Sequence, residues 1–211
     1  MTKRTSFLEV NARPLIGEAS VSTRSASLFT GGAGTSLFAR SPARVAGQGQ
    51  LGQNPLQQLR SLIAKAEAGV KDYDAVQYGA TIEPGGPPTT LTVKQIFEWI
   101  NDTPGQPHAI GRYQFIPPTL DRLVKRLGID PETRFTPFVQ DKLADVLLNE
   151  AGFALFQAGQ IERQDFMNNL AKIWAGLPND TGKSHYHGFA GNKATMTWAS
   201  FDAHMARIFP G

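Results

Sequence analysis

From Leu56 to Ile208, apolar residues return every three or four positions, in short runs opened by Asn, Thr or Pro and closed by Gly or Pro. That spacing places them on one side of an α-helix and argues against a sheet-built core. Asn54-Pro55 supplies an N-cap and a first-turn proline before Leu56, Leu59, Leu62, Ile63 and Ala66, with Gly69 as the stop. Thr92 and Gln95 have capping-box spacing ahead of Val93, Ile96, Phe97 and Ile100. Leu120, Leu123, Val124 and Leu127 define a third helix, ended by Gly128. Thr136-Pro137 begins a fourth, with Phe138, Val139, Leu143, Val146 and Leu147 inward. Phe166, Leu170, Ile173, Trp174 and Leu177 make a fifth that Pro178 ends, and Phe201, Met205 and Ile208 the last. Only Tyr73–Val76 and Thr81–Gly86 read as short extended segments, so the fold class is mainly α with one small β element.

Upstream of this pattern the composition changes. Residues 1–54 are rich in Ser, Ala, Gly and Arg, without helical or alternating periodicity, and read as an irregular tail ahead of a domain at 55–211. The tail carries six basic residues against two acidic ones, so the net charge of +3 arises there and the domain is close to neutral. A nucleic-acid-binding domain therefore has no electrostatic basis. Leu28-Phe29 and Leu37-Phe38 suit a segment that orders in a partner's groove, while a solvated leader is the plainer alternative. Lys3 and Arg4 are not followed by an uninterrupted apolar run, so no signal peptide is expected, and no run is long enough for a membrane span.

The absence of cysteine removes disulfides, thiol nucleophiles and Cys-ligated zinc. His185 and His187 supply two imidazoles without a third ligand, so no metal and no cofactor is expected. The Gly31–Gly34 run lacks the Lys-Ser/Thr of a phosphate loop, and no Gly-x-Ser-x-Gly elbow occurs. Trp99, Trp174 and Trp198 fall at helical apolar positions and read as core.

Glu67 breaks the pattern. It falls eleven residues after Leu56, which returns it to within about 20° of that apolar position on the wheel. A carboxyl on an apolar stripe at a helix C-terminus is opposed by desolvation and by the helix dipole, and both raise its pKa. A carboxylic acid that keeps its proton near neutrality is what a general acid for glycosidic cleavage requires. The same position also fits a solvated carboxylate paired with Lys65 or Lys71.

Five segments point further: Ala66–Gly69, Tyr73–Val76, Ala109–Phe115 (Ala-Ile-Gly-Arg-Tyr-Gln-Phe), Gln140–Ala144 and Ile173–Pro178 (Ile-Trp-Ala-Gly-Leu-Pro). In this order they resemble the lambda-phage endolysin family, murein lytic transglycosylases with a lysozyme-like fold, over residues 57–208. The resemblance implies that Glu67 is the catalytic acid and base and that Gln114 contacts substrate. It implies a groove-wall role for Tyr113, a structural tie for Arg112, and a turn facing the acid at Tyr73 and Asp74. Tyr186, in the loop after the Leu-Pro motif, matches a further substrate-contacting tyrosine. Two departures from the family pattern are a longer loop through Gly191-Asn192-Lys193 and an insert at 83–108 that carries an extra helix.

Glycosidases ordinarily use two carboxyl groups, and Glu67 has no evident partner beyond Asp72 and Asp74. One acid suffices if the sugar's own 6-hydroxyl attacks, and the family resemblance, more than the missing carboxylate, implies transglycosylation of the MurNAc–GlcNAc β-1,4 bond over hydrolysis by a true muramidase. The expected partners are peptidoglycan glycan strands and, through the tail, a phage structural protein. The expected location is the virion, at a tail or baseplate, acting on the host cell wall. A free endolysin and a non-catalytic wall-binding or structural module are the competing readings.

Overall fold

A computed structural model describes residues 54–189 and 191–210 of the chain. The expectation of an irregular anchoring tail falls on residues outside these. The described part is mainly helical and lysozyme-like, and its core is one continuous cluster.

Helix α1 (Pro55–Glu67) starts where the local chemistry directs: the Asn54 side chain accepts from the Leu56 N–H at 3.0 Å and proline occupies the first turn. Leu59 and Ile63 are fully buried along its inner stripe. A 3-10 turn, Gly69–Asp74, follows directly, and a second covers Pro88–Thr90. Helix α2 (Val93–Asp102) has the full capping box, with Thr92 and Gln95 satisfying each other's backbone N–H groups. Helix α3 (Pro117–Leu127) ends on Gly128 in the left-handed conformation, φ 60° and ψ 37°. Helices α4 (Pro137–Glu150), α5 (Phe153–Gln157), α6 (Arg163–Ile173) and α7 (Trp198–Ile208) complete the order. Leu143 and Ala144 of α4, Phe166 and Leu170 of α6, and Phe201 and Met205 of α7 have no exposure and belong to the same core as the inner face of α1.

One local expectation is sharpened and three are corrected. The small β element consists, among the described residues, of isolated antiparallel bridges: Val76 with Ile110, Ile110 with Phe115, Thr92 with Arg134 and Pro178 with Ser184. Tyr73 and Asp74 belong to the 3-10 turn, and the 81–86 segment is held by the Gln106 side chain rather than by a strand partner. Phe138, read as inward, is 69% exposed because it sits in the first turn of α4, outside the buried stripe of Val139, Leu143 and Leu147. The fifth predicted helix stops at Ile173: Trp174 is already extended, with φ −112° and ψ 110°, though its ring remains buried. Helix α5 has too few residues for periodicity to reveal it.

Candidate active site

Glu67 closes α1, and what surrounds it follows from how α6 ends. Once Trp174 turns out of the helix, the chain runs back toward α1, and the Gly176 N–H donates to Glu67 Oε1 at 2.8 Å. The approach is close enough to require glycine. A Cβ at 176 would overlap the Ala66 carbonyl oxygen and come within 3.0 Å of Glu67 Oε1. The Gly176 carbonyl in turn accepts from the Thr195 N–H at 2.9 Å and the Thr195 hydroxyl at 3.1 Å.

The Glu67 carboxyl lies deep among protein atoms while the residue keeps a solvent-accessible edge. Burial pushes its pKa up to about 7, against the Gly176 N–H, which favours the ionised form. The lysine pairing that the sequence left open is not made. Lys65 is exposed, and the Lys71 ammonium lies 3.7 Å from Glu83. Glu67 is thus a carboxylic acid at the water's edge with its proton affinity set by desolvation.

Beside it, the turn after α1 is held in a costly shape. Gly69 has φ 58°, and Asp72 takes φ 51° and ψ −122°, a region that non-glycine residues rarely visit. Arg112 holds Asp72 there, donating to both carboxylate oxygens at 2.6 and 2.7 Å and to the Ser61 hydroxyl of α1 at 3.1 Å. Its guanidinium also covers the Tyr73 ring, 4.6 Å from the centroid. Arg112 is the tie between α1 and the following turn.

Beneath this turn runs a polar layer rooted in α4. Gln140 is fully buried: its amide donates to the Tyr73 and Phe135 carbonyls, each at 3.0 Å, and its oxygen accepts from the Arg112 N–H at 2.9 Å. Gly111, with φ 79°, leaves room for that amide, since a Cβ there would overlap Gln140 Oε1. Asp141 Oδ1 accepts from the Tyr73 hydroxyl at 3.0 Å and the Tyr113 hydroxyl at 2.6 Å, while Oδ2 accepts from Arg60 at 3.0 Å. Burial and the Asp141 carboxylate push both tyrosine hydroxyls upward in pKa.

The substrate-contact expectations divide. Tyr113 is corrected: at 1% exposure, with its hydroxyl spent on Asp141, it belongs to the core and not to a groove wall. Tyr73 is partly exposed and sits in the same Asp141 network. Asp74 accepts from the Thr89 N–H at 2.9 Å, which ties the two 3-10 turns together. Gln114 is partly exposed with φ 47°, and its amide N–H donates to the Gly111 carbonyl at 2.9 Å. Its side-chain oxygen has no partner among the described residues and is available to a ligand. Tyr186 lies apart from the Asp141 group, its hydroxyl donating to the Lys172 carbonyl at 2.6 Å near the end of α6. Sequence reasoning assigned no role to Gly176, Thr195, Gln140 or Asp141. The last two were detectable as a polar pair inside the apolar run of α4; the first two make contacts too distant along the chain for any local signal.

Among the described residues no group of three or more His, Asp or Glu is placed to hold a metal ion, and no helix is long and apolar enough to cross a membrane. A family model described as Endolysin matches residues 94–203, from the first turn of α2 into α7. Glu67 and the turn after it precede the matched region. No curated protein and no solved structure matches the chain.

Proposed function

The chain belongs to the endolysin family, phage proteins that degrade the host cell wall, and from that premise we propose that it cleaves the MurNAc–GlcNAc β-1,4 bond by lytic transglycosylation with Glu67 as its only acid–base group. The observation that carries this reading is a deeply set carboxyl, on a residue that keeps a solvent-accessible edge, whose proton affinity burial has raised to near neutrality. Protonated Glu67 donates to the glycosidic oxygen as the C1–O bond breaks. The resulting carboxylate then takes the proton of the MurNAc 6-hydroxyl as that oxygen bonds to C1, which leaves a 1,6-anhydro sugar and restores the acid. The Gly176 N–H favours the ionised form and so stabilises the carboxylate between the two steps.

A second carboxylate is the alternative requirement, and the two nearest in sequence are engaged elsewhere. Asp72 is held by Arg112, and Asp74 by the Thr89 N–H. This supports substrate-assisted attack over a covalent nucleophile. Gln114, with a free amide oxygen beside the Gly111 turn, is the candidate for holding an acetamido N–H or a sugar hydroxyl; Tyr73 and Tyr186 are candidates for the rim. Mass spectrometry of fragments released from purified sacculi tests the chemistry. Products lighter by one water are expected, and reducing ends would assign a hydrolase instead. Sacculi that bind the protein but release nothing would assign a non-catalytic module.

The division into a tail at 1–54 and a domain at 55–211 belongs to the same proposal. The tail's basic charge and its two Leu-Phe pairs support docking on a phage structural protein, with the enzyme carried in the virion to open the wall locally. A protein lacking residues 1–54 is expected to cleave sacculi normally and to be missing from particles. Its normal incorporation would overturn the anchoring role of the tail, and absence of the full-length protein from particles would favour a free endolysin.

A further inference from the structure

Thr195 is an exposed residue in the loop before α7, far from Glu67 in sequence, yet both of its polar groups converge on one atom. Its N–H and its hydroxyl donate to the Gly176 carbonyl at 2.9 and 3.1 Å. The other side of Gly176 donates its N–H to Glu67 Oε1 at 2.8 Å. Gly176 carries no side chain that could be packed into place, and the Ala66 carbonyl crowds its α-carbon on the α1 side. The position of its N–H therefore depends on what holds the adjoining carbonyl, and Thr195 holds it at two points.

We propose that Thr195 is a positioning residue for Glu67: by fixing the Gly176 backbone it aims the N–H that binds Oε1 and so sets how readily the acid keeps its proton. The inference rests on the reading of Glu67 as the acid. A hydrogen bond to the carboxylate favours the ionised form, so a looser Gly176 lets Glu67 hold its proton to higher pH. Among the described residues the charged groups nearest in sequence or on the same loop are engaged elsewhere or exposed. Lys65 is exposed, Lys71 pairs with Glu83, Asp72 with Arg112, and the Lys172 ammonium binds Asn169. His185, His187 and Lys193 of the 179–197 loop are exposed, and none of these groups contributes to the displacement of Glu67 from its ordinary value.

Thr195→Val removes the hydroxyl, keeps the shape and leaves the backbone N–H in place, and Thr195→Ser restores the hydroxyl. The Glu67 carboxyl is titrated by carbon-13 NMR in the full chain, and release of soluble fragments from sacculi is measured across pH. In Thr195→Val the titration midpoint and the alkaline limb of the rate profile are expected to move up together by about half a pH unit, with the effect in kcat rather than KM. Thr195→Ser is expected to coincide with wild type. A purely structural Thr195 would lower the melting temperature of the Val variant and leave both midpoints unmoved, and that result overturns the proposal. Glu67→Gln separates the two layers. If it still cleaves, the reading of Glu67 as the acid falls; if it is inactive while Thr195→Val titrates like wild type, only the role of Thr195 falls.

Discussion

At the scale of single residues, the cost of keeping Glu67 where it is should be measurable as stability. Its folded pKa of about 7 exceeds the ordinary carboxyl value of 4.5, so the folded state binds the proton more tightly than the unfolded chain. That contribution is complete below pH 4.5 and is lost as pH rises through 7. Glu67→Gln, which never ionises, should therefore gain on wild type across this window, by roughly 3 kcal/mol at pH 8, with the difference closing below pH 4.5. Urea unfolding at a series of pH values checks it; parallel stability curves would mean that the carboxyl is better solvated than its surroundings indicate. Tyr113 gives a complementary test. Tyr113→Phe removes the 2.6 Å bond to Asp141 and is expected to cost about 1 kcal/mol while leaving KM for sacculi unchanged. A raised KM with no loss of stability would return Tyr113 to the groove wall.

At the scale of elements, the turn at the entry to the insert at 83–108 is gathered by one amide. The Gln106 oxygen accepts from the Thr81 and Ile82 N–H groups, each at 2.9 Å, and from the Thr81 hydroxyl at 3.1 Å. Its NH₂ donates to the Ile82 carbonyl at 2.9 Å and to the Thr103 hydroxyl at 3.1 Å. The Trp99 indole N–H reaches that same carbonyl at 2.8 Å, which fastens the segment to α2. This does by side chain what a strand pair does by backbone. Gln106→Ala should raise hydrogen exchange at residues 79–86 by an order of magnitude or more while protection in α1 and α4 stays as in wild type. Unchanged exchange there would show that the Trp99 bond holds the segment unaided. The departure of the chain from α6 at Trp174 is the other decisive event at this scale. It brings the Gly176 amide to Glu67, beside a buried Trp174 whose indole N–H has no partner among the described residues.

For the described domain as a whole, α1 and α4 are joined by charge as well as by packing. Arg60 forks onto Asp145 at 2.6–2.7 Å and reaches Asp141 at 3.0 Å, and Asp141 collects the two tyrosine hydroxyls from the turns on either side. Asp141→Asn removes the charge from a partly buried network and should destabilise the domain by about 2 kcal/mol. Combined with Tyr113→Phe, the losses should fall short of additive, because the hydrogen bond that Asp141→Asn weakens by removing its charge is absent once the Tyr113 hydroxyl is gone. Additive losses in thermal unfolding would show that the tyrosine and the aspartate act independently.

Much of this was legible locally. Asn54, Thr92 and Thr136 cap the helices they were read to cap, and Leu59, Ile63, Leu143, Phe166 and Met205 are buried as their spacing required, because caps and stripes depend on neighbours within one or two turns. Glu67 could be singled out for the same reason, as a charge on an apolar stripe of its own helix. What the sequence could not provide was the environment that turns this carboxyl into an acid. The Gly176 N–H that touches it, and the Thr195 that holds Gly176, lie more than a hundred residues away along the chain. The exposure of Phe138, the burial of Tyr113 and the replacement of a strand by the Gln106 amide were likewise decided only when separate elements packed. Each depends on which surfaces meet, and periodicity along one helix specifies a face to be covered without specifying what covers it.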